Sequence, residues 1–184
     1  MVIIQLLKSL KEQLDTEGKL KIITEEGNIE IAQCSFQDPA TAEEIKKAEK
    51  EFKFEFPDDY KQFLLTHNGA TIFSMLDEEG NEMGGELWLF SIDEIREALD
   101  DYDIKKGEYL PIGSVLDQSL AICSKPLKKN SLNYLGIAET VDEYEPIQLN
   151  FELFLTRYIT SSGQNFWEWS WIDADKHYKE LEES

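Results

Sequence analysis

Histidine and cysteine are scarce, with two of each among 184 residues. His67 and His177 share no ligand spacing with Cys34 or Cys123, and no CxxC pair occurs. This excludes a recognisable zinc motif and a disulfide framework. Each cysteine sits in an apolar run, IAQC or LAIC, which predicts free, buried thiols. Long hydrophobic stretches are missing, and none approaches the length that spans a membrane. The first residues, MVIIQLLKSLKEQL, lack a basic start and a small-residue cleavage site. The expectation is a soluble, cytoplasmic protein without cofactor, metal or membrane partner. Bases are also few, 18 against 38 acids, leaving a formal charge of −20. Such a field repels nucleic acid and anionic lipid and speeds encounter with basic proteins.

Apolar residues make up 41% of the chain and aromatics 11%, enough for one packed domain. Ile3, Leu6, Leu7, Leu10 and Leu14 recur at helical spacing and predict a helix over 2–15. Leu20, Ile22, Ile29 and Ile31 flank a glycine-containing turn and predict a hairpin. Residues 1–38 thus form an N-terminal addition to a core over 39–160, followed by a Trp-rich extension over 161–184. Thr41 and Glu44 spell a capping box for a helix over 41–52 with Ile45, Ala48 and Phe52 inward. The stretch FEFPDDYKQFLLTHNG, residues 54–69, has the fullest local grammar. Pro57 suits a first helical position, Asp58 and Asp59 suit the positive helix start, and Asn68-Gly69 suits a left-handed cap. His67 reads as a histidine in the last helical turn, favoured by the negative dipole end. Strands are predicted over 71–76, 86–90, 110–112, 120–123 and 132–138, with an acidic connection over 141–146. Ser91 and Glu94 cap a further helix carrying Ile92, Ile95 and Leu99. Asn150 caps a last one with Phe151, Phe154, Leu155, Tyr158 and Ile159 inward. Trp167, Trp169 and Trp171 alternate, which predicts cover for the core or, where such a set is exposed, a partner anchor.

Catalytic signatures are absent. No G-x-S-x-G, H-E-x-x-H, P-loop or G-x-G-x-x-G occurs, and DEEGNEMGG places Gly80 too early for a calcium loop. Glu43/Glu44 and Asp58/Asp59 stand where helix starts attract negative charge, which explains them without acid–base chemistry. Charge placement says more. Residues 77–103 hold eleven acids and one base, Arg96, half the net charge of the chain. Glu139, Asp142, Glu143 and Glu145 form a second cluster. The candidate partner-binding residues are Asp77, Glu78, Glu79, Glu82, Glu86, Asp100, Asp101, Asp103, Glu143 and Glu145.

The run Glu49–Gly69, with Phe52-Lys53, Phe56-Pro57-Asp58-Asp59-Tyr60, Phe63-Leu64 and Asn68-Gly69, resembles the SUKH superfamily of bacterial toxin-immunity proteins and a yeast cell-wall assembly regulator. Later elements follow a similar order, and the resemblance covers about 41–160. Lys53 departs from a frequent glycine, Phe56 from leucine and Ala70 from a second glycine. The resemblance implies an α+β fold with helices on a mostly antiparallel sheet. It also implies a non-enzymatic antitoxin, or immunity protein, that neutralises a cognate toxin, commonly a nuclease; the charge of −20 makes a basic toxin surface the expected partner, and whether a monomer or dimer binds it is left open by the sequence. The alternatives are a regulatory or scaffolding module, as the eukaryotic relatives suggest, and a hydrolase using surface carboxylates.

Overall fold

The computed structural model describes residues 2–24, 27–77, 79–101, 107–129, 131–139 and 144–167. Helix α1 (Val2–Lys11) turns Ile3, Leu7 and Leu10 into the core. Strands β1 (Lys19–Ile23) and β2 (Ile29–Phe36) form the predicted hairpin. Helix α2 (Ala42–Phe52) begins at the predicted box: the Glu44 amide donates to the Thr41 hydroxyl, and the Thr41 amide donates to the Glu44 carboxylate. It ends at Lys53 in the left-handed region, φ 53° and ψ 38°, where the family pattern favours glycine.

Helix α3 (Asp58–Leu64) is a single short element. Pro57 is its N-cap residue rather than its first helical one, and Leu65 closes it in a right-handed conformation. Asn68-Gly69 therefore does not cap α3. The Asn68 side chain instead accepts a hydrogen bond from the Ile92 amide at 3.0 Å, fixing the start of a later helix. Strand β3 (Ala70–Leu76) leads through β4 (Glu82–Gly84) to β5 (Leu87–Leu89). Helix α4 (Ile92–Asp101) opens on the Ser91–Glu94 box. Then follow β6 (Tyr109–Val115), β7 (Gln118–Cys123), α5 (Ser124–Lys128), β8 (Leu135–Ala138), β9 (Glu145–Pro146) and α6 (Phe151–Thr160), whose N-cap is Asn150. The predicted strand over 132–138 begins later, at Leu135, because α5 and its turn occupy the preceding segment. That helix, β4 and β9 have no counterpart in the sequence prediction.

The described strands build one antiparallel sheet in the order β1-β2-β3-β5-β6-β7-β8-β9, with β4 paired to the far half of β3. The architecture is α+β. Alternation separates the two faces. Ile22, Ala32, Ile72, Leu87, Leu89, Val115, Leu120, Ile122, Leu135 and Ile137 point to one side and join the buried residues of α1, α2, α3, α4 and α6 in one core. Its aromatic centre is Tyr60, Phe63 and Phe151, with Phe151 5.1 Å from Tyr60 and 5.3 Å from Phe63. The N-terminal segment is integral to this unit: β2 pairs along β3, and α1 packs on α3 and α6.

Candidate functional site

The acidic segment begins with a loop that builds itself. Asp77 accepts hydrogen bonds from the amides of Glu79 and Asn81 at 2.9 and 2.8 Å, and from the Asn81 side chain at 2.9 Å. These donors hold its carboxyl below the ordinary carboxylate range, the Asn81 amide side chain first. Gly80, Gly84 and Gly85 take positive φ, which lets the chain fold back on β3 and re-enter as β5. Asp77 is thereby a loop-forming residue, whereas Glu79 and Glu82 stand exposed. Glu86 is half-buried near Tyr158, and one of its carboxylate oxygens has no hydrogen-bond partner among the described residues.

Antiparallel register brings further acids to the same end of the sheet. Leu87, the first residue of β5, lies opposite Val115, the last of β6. The next turn is Leu116-Asp117, both with positive φ as a two-residue hairpin requires. Ser119 on β7 pairs with Ala138, the last residue of β8, so Glu139 follows at this end, and Glu145 opens β9 opposite Ile137. Asp77, Glu79, Glu82, Glu86, Asp117, Glu139 and Glu145 thus share one end of the molecule. Among the described residues none of the seven has an ion-pair partner, and the segments 76–87, 115–118 and 144–148 contain no lysine or arginine. Asp117 is the member that charge counting along the chain missed. Its only signal was its place between two predicted strands, without the Gly or Asn that marks most such turns.

The other described acids of the segment lie on α4. Helix α4 leaves the opposite end of β5. There Glu94 closes the capping box and Asp93 pairs with Arg96 at 2.5 Å. Arg96 also holds Glu51 of α2 through two hydrogen bonds, at 2.5 and 3.1 Å, and lies over the Phe52 ring. These groups tie α2 to α4. Asp100 is exposed near the end of α4, and Asp101 closes that helix. Glu78, Asp103 and Glu143 lie outside the described residues.

Beside the acidic end, Leu116, Asp117, Gln118, Glu139, Asn165 and Trp167 line an open pocket of about 340 Å³. Trp167 covers the core as predicted, packing on Phe154 and Phe166 at 5.8 and 5.2 Å. Trp169 and Trp171 lie outside the described residues.

The other candidates are structural. His67 lies beyond α3 rather than in its last turn. Its Nδ1 donates to the Gln37 carbonyl, 2.8 Å away, and its Nε2 accepts from the Lys11 ammonium of α1 at 2.6 Å. Burial holds its pKa below the ordinary value, contrary to the raising that a helix C-terminus would produce. Both cysteines are free and buried, and burial raises each thiol to about 11. Among the described residues no group of three His, Cys, Asp or Glu could hold a metal ion, and no helix is long and apolar enough to cross a membrane.

The model of the SMI1 / KNR4 family (SUKH-1) matches residues 39–157. Two proteins of Bacillus subtilis (strain 168) are similar over most of their length. The uncharacterised protein YobM is 39% identical over 176 residues, 94% of this chain and 95% of YobM. The uncharacterised protein YnaB is 30% identical over 143 residues, 76% of this chain and 90% of YnaB. At 94% of this chain, the similarity to YobM reaches beyond the family match and takes in the N-terminal hairpin.

Proposed function

The chain belongs to the SMI1 / KNR4 family (SUKH-1), and from that premise we propose that it is an immunity protein: a non-catalytic antitoxin that binds and neutralises a cognate bacterial protein toxin. The toxin's functional surface is basic, as a nuclease requires, and this chain competes there with phosphate. One observation carries the reading. Seven acids from four separate segments converge on one end of the sheet, and none has an ion-pair partner among the described residues. Plain solvation asks only that acids be exposed. Convergence without counter-charge creates a directed field, which raises association rates.

The test starts from the reading frames that flank the gene. A neighbouring frame with a toxin-like C-terminal domain is expected, and this chain should rescue cells that express that domain. Reversing Glu79, Glu82, Asp117 and Glu145 to lysine should slow association about tenfold or more at low salt and flatten its salt dependence. The same reversal at Glu97 and Asp100, at the far end of α4, should do much less. Equal association rates for the first variant and the wild type would remove the acidic end from the mechanism.

A further inference from the structure

One face of the sheet carries no helix among the described residues. Side chains from the helices join the inner face, whereas among the described residues the outer face holds a small buried cluster of Ala121, Cys123, Ala138 and Tyr144, with Tyr109 against it. Near the middle of this face stands Trp88 of β5. It is 41% exposed, while its neighbours Leu87 and Leu89 are fully buried on the other side. Its cross-strand partners are Thr71 and Ser114, followed by Ser119, all too small to cover an indole. Phe90 meets it edge to face at 5.0 Å and limits its orientation. The strand beneath is pinned as well. A Cβ on Gly113 would come within 2.2 Å of the Trp88 carbonyl oxygen, so β5 and β6 approach closely and leave the tryptophan a fixed base. Further along, β1 and β2 set Ile23 opposite Ile29 and add Ile31, all well exposed.

We propose that this outer face of the sheet, with Trp88 as anchor, seats the partner, and that the partner is a basic protein presenting an apolar hollow ringed by lysine and arginine. The proposal rests on the immunity reading and says which face does the holding. Charge complementarity commits it to that occupant. The loop of Glu79 and Glu82 rises between the strand of Ile31 and the strand of Trp88, and Asp117, Glu139 and Glu145 continue the acidic border past it. Lys19, paired with Glu17, and Lys21 are the bases that register places on this face, and both belong to the edge strand β1, remote from Trp88. A rigid indole inside a polar, acidic rim is the arrangement in which a few residues dominate affinity. The acids would set the rate of encounter, and Trp88 the lifetime of the complex.

The experiment uses the full chain and the toxin domain encoded beside it, inactivated in its catalytic centre. Binding kinetics are measured for wild type, Trp88→Ala and Ser114→Arg, and oxidative footprinting follows Trp88 with and without toxin. Expected are a loss of affinity of about 30-fold for Trp88→Ala, mostly in dissociation, a similar loss for Ser114→Arg, and protection of Trp88 in the complex. Thermal melts check that both variants fold. Toxin binding with unchanged kinetics in both variants and no protection of Trp88 would overturn the face while leaving the immunity reading intact. Sedimentation showing that wild type self-associates through Trp88, with the toxin bound elsewhere, would overturn it as well. If no neighbouring frame encodes a protein that this chain binds, the immunity reading fails and takes this inference with it.

Discussion

Asp59 and Tyr134 lie 75 residues apart and meet through a short hydrogen bond in which the tyrosine donates. Asp59 also accepts from the amide of Glu152, at 3.1 Å, in the first turn of α6. Tyr134 accepts in turn from the Phe151 amide at 3.1 Å. One carboxylate thus joins α3, the segment before β8 and the start of α6. Removing it leaves a buried hydroxyl and a helix-start amide without acceptors. Asp59→Ala should cost about 3 kcal/mol, and Asp59→Asn, which keeps an acceptor, about half as much, read from urea unfolding at pH 7. A titrating counterpart exists at His67. Lys11 donates to it and presses its ammonium over Phe36, while Lys8 and Glu12 line the same hollow and Asp38 is the opposing charge nearby. Because the folded pKa is lowered, the unfolded chain takes up a proton first as pH falls. The contribution of His67 to stability is therefore complete above about 6.5 and is lost as pH falls through its folded value. The urea midpoint should drop between pH 7 and pH 5, and His67→Gln should flatten that drop. An imidazole titrating above pH 6.5 by NMR would contradict the sign.

Elements were legible where their signals are local. The Thr41, Ser91 and Asn150 caps, the helical stripes of α1 and α6 and the alternation of the hairpin strands are each written within a few residues, and the structure follows them. What escaped is set by partners remote in sequence. Asn68 looks like the end of one helix and serves the start of another. Asp58 and Asp59 look alike at a helix start, yet Asp59 makes the long-range bonds. The acidic site was half legible: its loop is a charge run, but only antiparallel register adds Asp117, and Asp100 falls on α4 rather than at a strand end. The α2–α3 junction offers a test at this scale. Lys53 adopts a left-handed conformation that disfavours side chains. Glu49 staples the exit by accepting from the Phe56 amide at 2.8 Å and pairing with Lys61 at 2.9 Å. Since the backbone is held there regardless of residue 53, Lys53→Gly should relieve strain without losing the turn. It should raise stability by about 0.5–1 kcal/mol; a lower urea midpoint would mean that the lysine stem packs usefully beside the motif.

At the scale of the whole molecule, a charge of −20 opposes the compact state. Two electrostatic effects compete, and salt weakens both. The Glu51–Arg96–Asp93 link and the Lys61–Glu49 pair are attractive and few. The repulsions at the acidic end are many. Neighbouring strands lie about 4.8 Å apart, which brings seven unpaired carboxylates within a few such spacings of one another. Two like charges about 10 Å apart in water repel by roughly 0.4 kcal/mol, so several such pairs outweigh exposed ion pairs worth well under about 1 kcal/mol each. The screening length shortens from about 30 Å at 0.01 M salt to about 3 Å at 1 M, and nearly all of this repulsion is removed over that range. The melting temperature should therefore rise with added sodium chloride. The variant Glu79→Gln, Glu82→Gln, Glu139→Gln, Glu145→Gln should melt higher than wild type at low salt and respond less to salt, while binding the basic partner proposed above more slowly. A melting temperature that falls with salt would place the balance with the attractive pairs. Stability gained at the expense of association would identify the acidic end as charge kept for encounter and not for folding.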